Sequence, residues 1–224
     1  MSTNATEGHS DTGWKTVVSD WSADKETYPV PWGKLMMWIF LLSDTFIFSI
    51  FLTSYMTVRL SATDAWPNTS EVFALTIMGE HVPLILIAIM TFVLITSSGT
   101  MALAVNYAYR GDRKKTFWLM AATAALGASF VGMQAFEWTK LIHEGVRPWA
   151  NPMGAAQFGS TFFMITGFHG LHVSAGVIYL AIIARRVKNG HYEGKGYHIV
   201  EITGLYWHFV DLVWVFIFAF FYLW

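Results

Sequence analysis

The chain has 224 residues, of which 54% are hydrophobic and 13% charged, with a mean hydropathy of +0.44. A soluble domain carries about 25% charged residues, so this composition marks a membrane protein, and the net charge of -1 points to no nucleic-acid partner. Cysteine is absent, which excludes thiolate metal sites, iron–sulfur ligation and disulfides.

Residues 1–33 read as a polar segment at the membrane face, with Glu7, Asp11, Asp20, Asp24 and Glu26 and little periodicity. No basic run precedes an apolar one there, so no cleaved signal peptide is expected. Trp14 and Trp21 are placed at the membrane surface, and Tyr28, Pro29, Pro31 and Trp32 form a stiff aromatic entry to the bilayer.

Residues 34–224 then hold five apolar segments: Leu35–Val58, Val82–Ala108, Phe117–Thr139, Ala155–Ala184 and Ile199–Trp224. Each reaches the roughly 20 residues that a spanning helix needs. Backbone polar groups in hydrocarbon must be satisfied within the segment, so the expected fold class is all-α, a polytopic bundle of five transmembrane helices. The fifth segment is rich in Phe, Trp and Val, as a strand would be, but its length argues for a helix.

Lys and Arg orient the bundle. Eleven of the 14 flank one side: Lys15, Lys25 and Lys34, then Arg110, Arg113, Lys114 and Lys115, then Arg185, Arg186, Lys188 and Lys195. Only Arg59, Lys140 and Arg147 flank the other. The positive-inside rule therefore predicts the N-terminus inside and the C-terminus outside.

In the third segment, Ala121, Ala125 and Ser129 make one small-residue ridge and Ala124, Ala128 and Gly132 another, which predicts close helix packing along them. In the fourth, Gly167, Gly170 and Ser174 share a helical face, with Gly176 close by, and that face is expected to let a neighbouring backbone approach closely.

Polar residues inside these segments are the candidates for function. At about 1.5 Å per residue, Asp44, His172, His208 and Asp211 lie roughly 14–18 Å in from the inner helix ends, and His169 falls in the same layer. Glu137 falls near the outer boundary and Glu201 near the inner one. A charged carboxylate at mid-membrane costs at least about 2.5 kcal/mol, so each must be paired, protonated or turned to protein. Shared depth and opposed polarity predict that His169 or His172 bonds across to His208 or Asp211, tying the fourth and fifth helices together. Asp44 is expected to be mostly protonated, either as a proton-relay acid or as a buried structural one. The histidines admit two readings, structural hydrogen bonding and metal or haem ligation. No run of repeated histidine boxes favours the second, and no phosphate-cradling Gly loop or nucleophile triad stands out.

The fourth and fifth helices carry Gly159-Ser160-Thr161-Phe162-Phe163, Thr166-Gly167-Phe168-His169-Gly170-Leu171-His172-Val173, Tyr206-Trp207-His208-Phe209-Val210-Asp211 and Val213-Trp214. In these the chain resembles subunit III of the haem-copper respiratory oxidases, cytochrome c oxidase and quinol oxidase alike. Gln134-Ala135-Phe136-Glu137-Trp138 looks like that family's third-from-last helix, and Trp38–Phe51 resembles the helix with its buried carboxylate. The mitochondrial form has seven helices; five resembles the shorter bacterial subunits, and puts in doubt a lipid cleft built by the first two. Asp44 stands where cytochrome c oxidases commonly have Glu, and Asp at this place resembles quinol oxidase relatives.

The resemblance implies a subunit with no catalytic residue, no metal and no cofactor of its own, in a proton-pumping complex of aerobic respiration that reduces oxygen to water. Haem and copper are expected in partner subunits. Subunit I is the direct packing partner, with subunit II and small subunits as further partners. Bound phospholipid, support of proton uptake and residence in the bacterial cytoplasmic (inner) membrane follow from it. Asp44 matches the family carboxylate. Glu137, His169, His172, His208 and Asp211 match its polar framework of helix–helix or lipid contacts. The alternatives are an accessory membrane subunit of a nitric oxide reductase system and, from another class, a self-sufficient haem-binding membrane anchor.

Overall fold

A computed structural model of the chain describes residues 31–77, 80–82, 84–193 and 196–223. Most of the polar N-terminal segment, with Trp14 and Trp21, therefore lies outside the described residues. Five long helices are long and apolar enough to cross a membrane, as the hydropathy predicts. They are α1 (Trp32–Ser61), α2 (Ile85–Tyr109), α3 (Arg113–His143), α4 (Ala156–Lys188) and α5 (His198–Phe218), the last running on into a π-helical turn, Ala219–Leu223.

Local chemistry sets their ends. Pro31 precedes α1 with φ -58°, a torsion its ring imposes, and its carbonyl accepts from the Lys34 and Leu35 N–H groups. Asp112 caps α3 by accepting from the Lys115 N–H at 3.1 Å. That contact holds the Asp112 carboxyl below the usual carboxylate range. Between α1 and α2, Asn68 caps a one-turn helix, Thr69–Val72, and an antiparallel hairpin follows, β1 (Leu75–Ile77) and β2 (Glu80–Val82), with Thr76 opposite His81. Val82, expected to open the second span, is thus the last residue of a strand.

The three-residue turn after α2 makes α2 and α3 antiparallel neighbours, and the helices α2 to α5 pack around a shared core. α1 lies outside that square, against α4 and α5. It buries only Leu41, Asp44, Phe48, Leu52 and Tyr55, while Trp38, Phe46 and Ile50 are exposed. Along one exposed flank, which in its first three rungs borders α5, runs a ladder of hydroxyls, Thr45, Ser49, Thr53, Thr57 and Ser61, each donating to the carbonyl four residues back at 2.7–2.9 Å.

Two small-residue expectations are corrected. On α3 the buried stripe is Thr116, Met120, Thr123, Gly127, Phe130, Gln134, Glu137 and Leu141. Ala125, Ala128, Ser129 and Gly132 of the predicted ridges point outward instead. On α4 a Cβ at Gly167 would lie 3.2 Å from the Trp138 ring, a side chain and not a neighbouring backbone, and one at Gly170 would meet nothing within 4 Å, whereas one at Gly176 would lie 3.0 Å from both the Tyr206 and Trp207 rings. The close approach is made by the Trp207 indole, wedged between Gly176 on α4 and Gly127 on α3, where a Cβ would collide with its ring. Spacing shows where small residues align; the bulk that needs them sits on another helix.

Candidate functional site

A layer of polar side chains crosses the bundle. Asp44 is 4% exposed on α1, and its Oδ2 lies 3.0 Å from Nε2 of His172 on α4. The other ring nitrogen, Nδ1, is 2.8 Å from the Phe168 carbonyl oxygen. A carbonyl only accepts, so Nδ1 carries hydrogen. One proton then lies between Nε2 and Oδ2: carboxylic acid with imidazole, or carboxylate with imidazolium. Either way the pair has no net charge, which is how a carboxyl is tolerated at this depth. Phe48 and Phe168 pack on the imidazole, with ring centroids 5.5 and 4.7 Å away. Tyr206 on α5 donates its hydroxyl to the His172 carbonyl at 2.9 Å. Three helices thus meet at His172.

A second knot joins α2 to α5. Ser98 donates to Asp211 Oδ2 in a very short contact and lies 2.9 Å from Nδ1 of His208. One turn either way, Trp207 donates to Ser97 Oγ at 2.9 Å and Trp214 to Thr91 Oγ1 at 3.0 Å. His208 itself faces out of the bundle and is exposed. Gly99, the next residue of α2, is exposed and would place a Cβ with nothing within 4 Å.

His169 is fully buried, its ring stacked on Trp214 at 5.4 Å and 26°, with the edge of Phe130 at 6.0 Å. Glu137 stands apart from this layer, toward the α3 C-terminus. It is 3% exposed, accepts from Gln134 Nε2 at 2.8 Å, and accepts from the Tyr222 hydroxyl at 3.2 Å. It fastens the π-helical turn to α3. At the opposite helix ends, Glu201 accepts from Lys34 and from Tyr109, both at 2.5 Å, joining α5 to α1 and α2.

The expected bond from His169 or His172 to His208 or Asp211 is therefore not the one formed. His172 turns to Asp44, and His208 and Asp211 turn to Ser98. Shared depth does not say which helices are neighbours across the bundle. Ser97, Ser98, Thr91, Tyr206 and Tyr222 complete the network. Their signal in the sequence is faint: a Ser-Ser pair inside an apolar run, and indoles seven apart on α5 that each need an acceptor. Among the described residues no three His, Asp or Glu side chains converge as metal ligands do.

A groove of about 310 Å3 opens between α1 and α5 at hydrocarbon level, with Phe48, Leu52 and Phe216 among its walls and the Thr45 and Ser49 rungs along one side.

Residues 13–224 match the family described as Cytochrome c oxidase subunit III. The chain is also 32% identical over 196 residues to a Probable quinol oxidase subunit 3 of Staphylococcus saprophyticus, covering 88% of this chain and 90% of that protein. It shows the same identity and coverage with a Probable quinol oxidase subunit 3 of Staphylococcus aureus strain USA300.

Proposed function

This chain belongs to the cytochrome c oxidase subunit III family of the haem-copper oxidases, and on that premise we propose that it is the non-catalytic packing subunit of a proton-pumping terminal oxidase in a bacterial cytoplasmic membrane. The oxidase complex reduces oxygen to water; the names of the relatives and Asp44 both favour quinol as donor over cytochrome c. Its haem and copper belong to partner subunits, subunit I above all, and this chain supports proton uptake by bracing that partner. The N-terminus is inside and the C-terminus outside, as the Lys and Arg asymmetry requires.

The observation that carries the packing role is His208. An imidazole on an exposed face of a spanning helix, with Ser98 and Asp211 beside it, is costly against lipid and well suited to a protein neighbour. We place the contact with subunit I on this α2–α5 face. The groove between α1 and α5 suits a phospholipid chain, with α1 as its outer wall. The haem-anchor alternative rests on His169 and His208, since both nitrogens of His172 are engaged; neither ring nitrogen of His169 has a hydrogen-bond partner among the described residues, and its ring lies between Trp214 and Phe130.

Purification through a tag on this chain tests the reading. Haem should arrive with a large multi-helix partner, leave when that partner is stripped off, and be reduced by a quinol. Haem that stays on the isolated chain overturns it, and co-purification with nitric oxide reductase in place of an oxidase replaces it with that alternative.

A further inference from the structure

Ser98, His208 and Asp211 form a chain in which one hydrogen fixes the direction of the rest. A serine hydroxyl has a single hydrogen, and that of Ser98 goes to Oδ2 of Asp211. The 2.9 Å contact between Ser98 and Nδ1 of His208 must therefore take its hydrogen from the ring, so Nδ1–H donates to the Ser98 oxygen. A neutral imidazole carries one N–H, and a second proton would charge a ring on an exposed face of a spanning helix. Nε2 is thus a bare acceptor, and among the described residues no donor meets it. His208 stands midway along α5, about 15 Å from either helix end, so bulk water does not reach it. Lipid chains have no hydrogen to give. The face around it is apolar: Ile95, one turn before Ser98 on α2, is 56% exposed, and Val215, two turns beyond His208 on α5, is 44% exposed.

We infer that the partner subunit meets this face with an apolar helix bearing one uncharged hydrogen-bond donor, an indole, a hydroxyl or a carboxamide N–H, aimed at Nε2 of His208. The inference rests on the subunit reading and adds what the neighbour must bring. A carbonyl or carboxylate there would set lone pair against lone pair. A methyl would leave the nitrogen bare and buried, which is costly. Lys or Arg would carry a full charge into hydrocarbon to meet a neutral ring. An indole, hydroxyl or carboxamide supplies the hydrogen without the charge. The demand is set from within the bundle: Asp211 takes the hydrogen of Ser98, Ser98 takes that of the ring, and the ring must take one from outside. Asp211, 7% exposed, is in this sense a positioning residue that selects the partner's chemistry through His208.

The test uses the whole complex, immobilised through a tag on this chain and washed in mild detergent while haem release is followed. Two substitutions divide the imidazole's two roles. His208→Asn keeps an amide within reach of Ser98 but is too short to face a neighbour. His208→Gln reaches as far as Nε2 and places a carbonyl oxygen there as acceptor. Asn should release the haem-bearing partner roughly tenfold faster than wild type, the size of one lost buried hydrogen bond. Gln should stay within about twofold of the wild-type rate. Asn releasing at the wild-type rate, or Gln releasing as fast as Asn, overturns the inference, since the bond to Ser98 would then be the whole role of His208. Wild type from which no haem-bearing partner can be recovered overturns the subunit reading, and the inference falls with it. Haem that stays on the stripped wild-type chain and is lost in His208→Asn gives Nε2 to iron, and also overturns both.

Discussion

At the scale of single residues, the Asp44–His172 pair makes a prediction that separates charge from hydrogen bonding. Asp44→Asn can donate an amide N–H to Nε2 of His172, whose other nitrogen already donates to Phe168. The variant should assemble normally and melt close to wild type. Asp44→Ala leaves that nitrogen buried without its partner and should cost about 1–3 kcal/mol, seen as a lower melting temperature of the purified complex. If Asn is as damaging as Ala, the imidazolium–carboxylate form is the one that matters. The sequence showed that Asp44 and His172 were intramembrane polar groups needing company. It could not show that they were company for each other, because 128 positions separate them. Ser98 was less visible still, since a hydroxyl in an apolar helix usually bonds its own backbone and gives no hint of a distant partner.

For the individual helices, periodicity read existence and length well and read faces poorly. All five spans stand where hydropathy put them, with ends shifted by a few residues because caps and loops set the stops. On α3, alanine-rich spacing looked like a packing ridge, but the inner stripe follows the residues that Trp207, Trp214 and Tyr222 press on. Gly127→Ala should therefore destabilise the complex by about 1–3 kcal/mol, because the Trp207 ring has nowhere to go. Gly132→Ala should be neutral or up to about 1 kcal/mol stabilising, through helix propensity alone. Thermal melts of the two variants check both, and a damaging Gly132→Ala would place a partner subunit against that outer face. The α3 start carries a pH signature. Asp112 has a lowered folded pKa, so its capping contribution is present above the ordinary carboxylate range and is lost as pH falls through the lower folded value. Asp112→Asn should flatten the acid limb of stability against pH without moving the neutral plateau.

For the whole molecule, the charge asymmetry makes a topological prediction that the lack of native cysteine renders easy to read. Single cysteines at Ala150 and Asn189, both exposed and at opposite ends of α4, should differ. An impermeant maleimide on intact cells should label Ala150→Cys and spare Asn189→Cys; the reverse pattern inverts the orientation. The family likeness was legible because its motifs lie on two helices that pack together, whereas the position of α1 outside the main square was not, since nothing local marks a helix as peripheral. That position gives the hydroxyl ladder its meaning. Every rung from Thr45 to Ser61 has committed its hydrogen inward to a carbonyl of its own helix. What remains on that flank is a column of lone pairs, an edge that can receive hydrogen bonds and cannot offer them. Apolar chains slide past such an edge without penalty. A polypeptide that grips it must arrive with N–H or O–H groups of its own, and one presenting only carbonyls would be turned away.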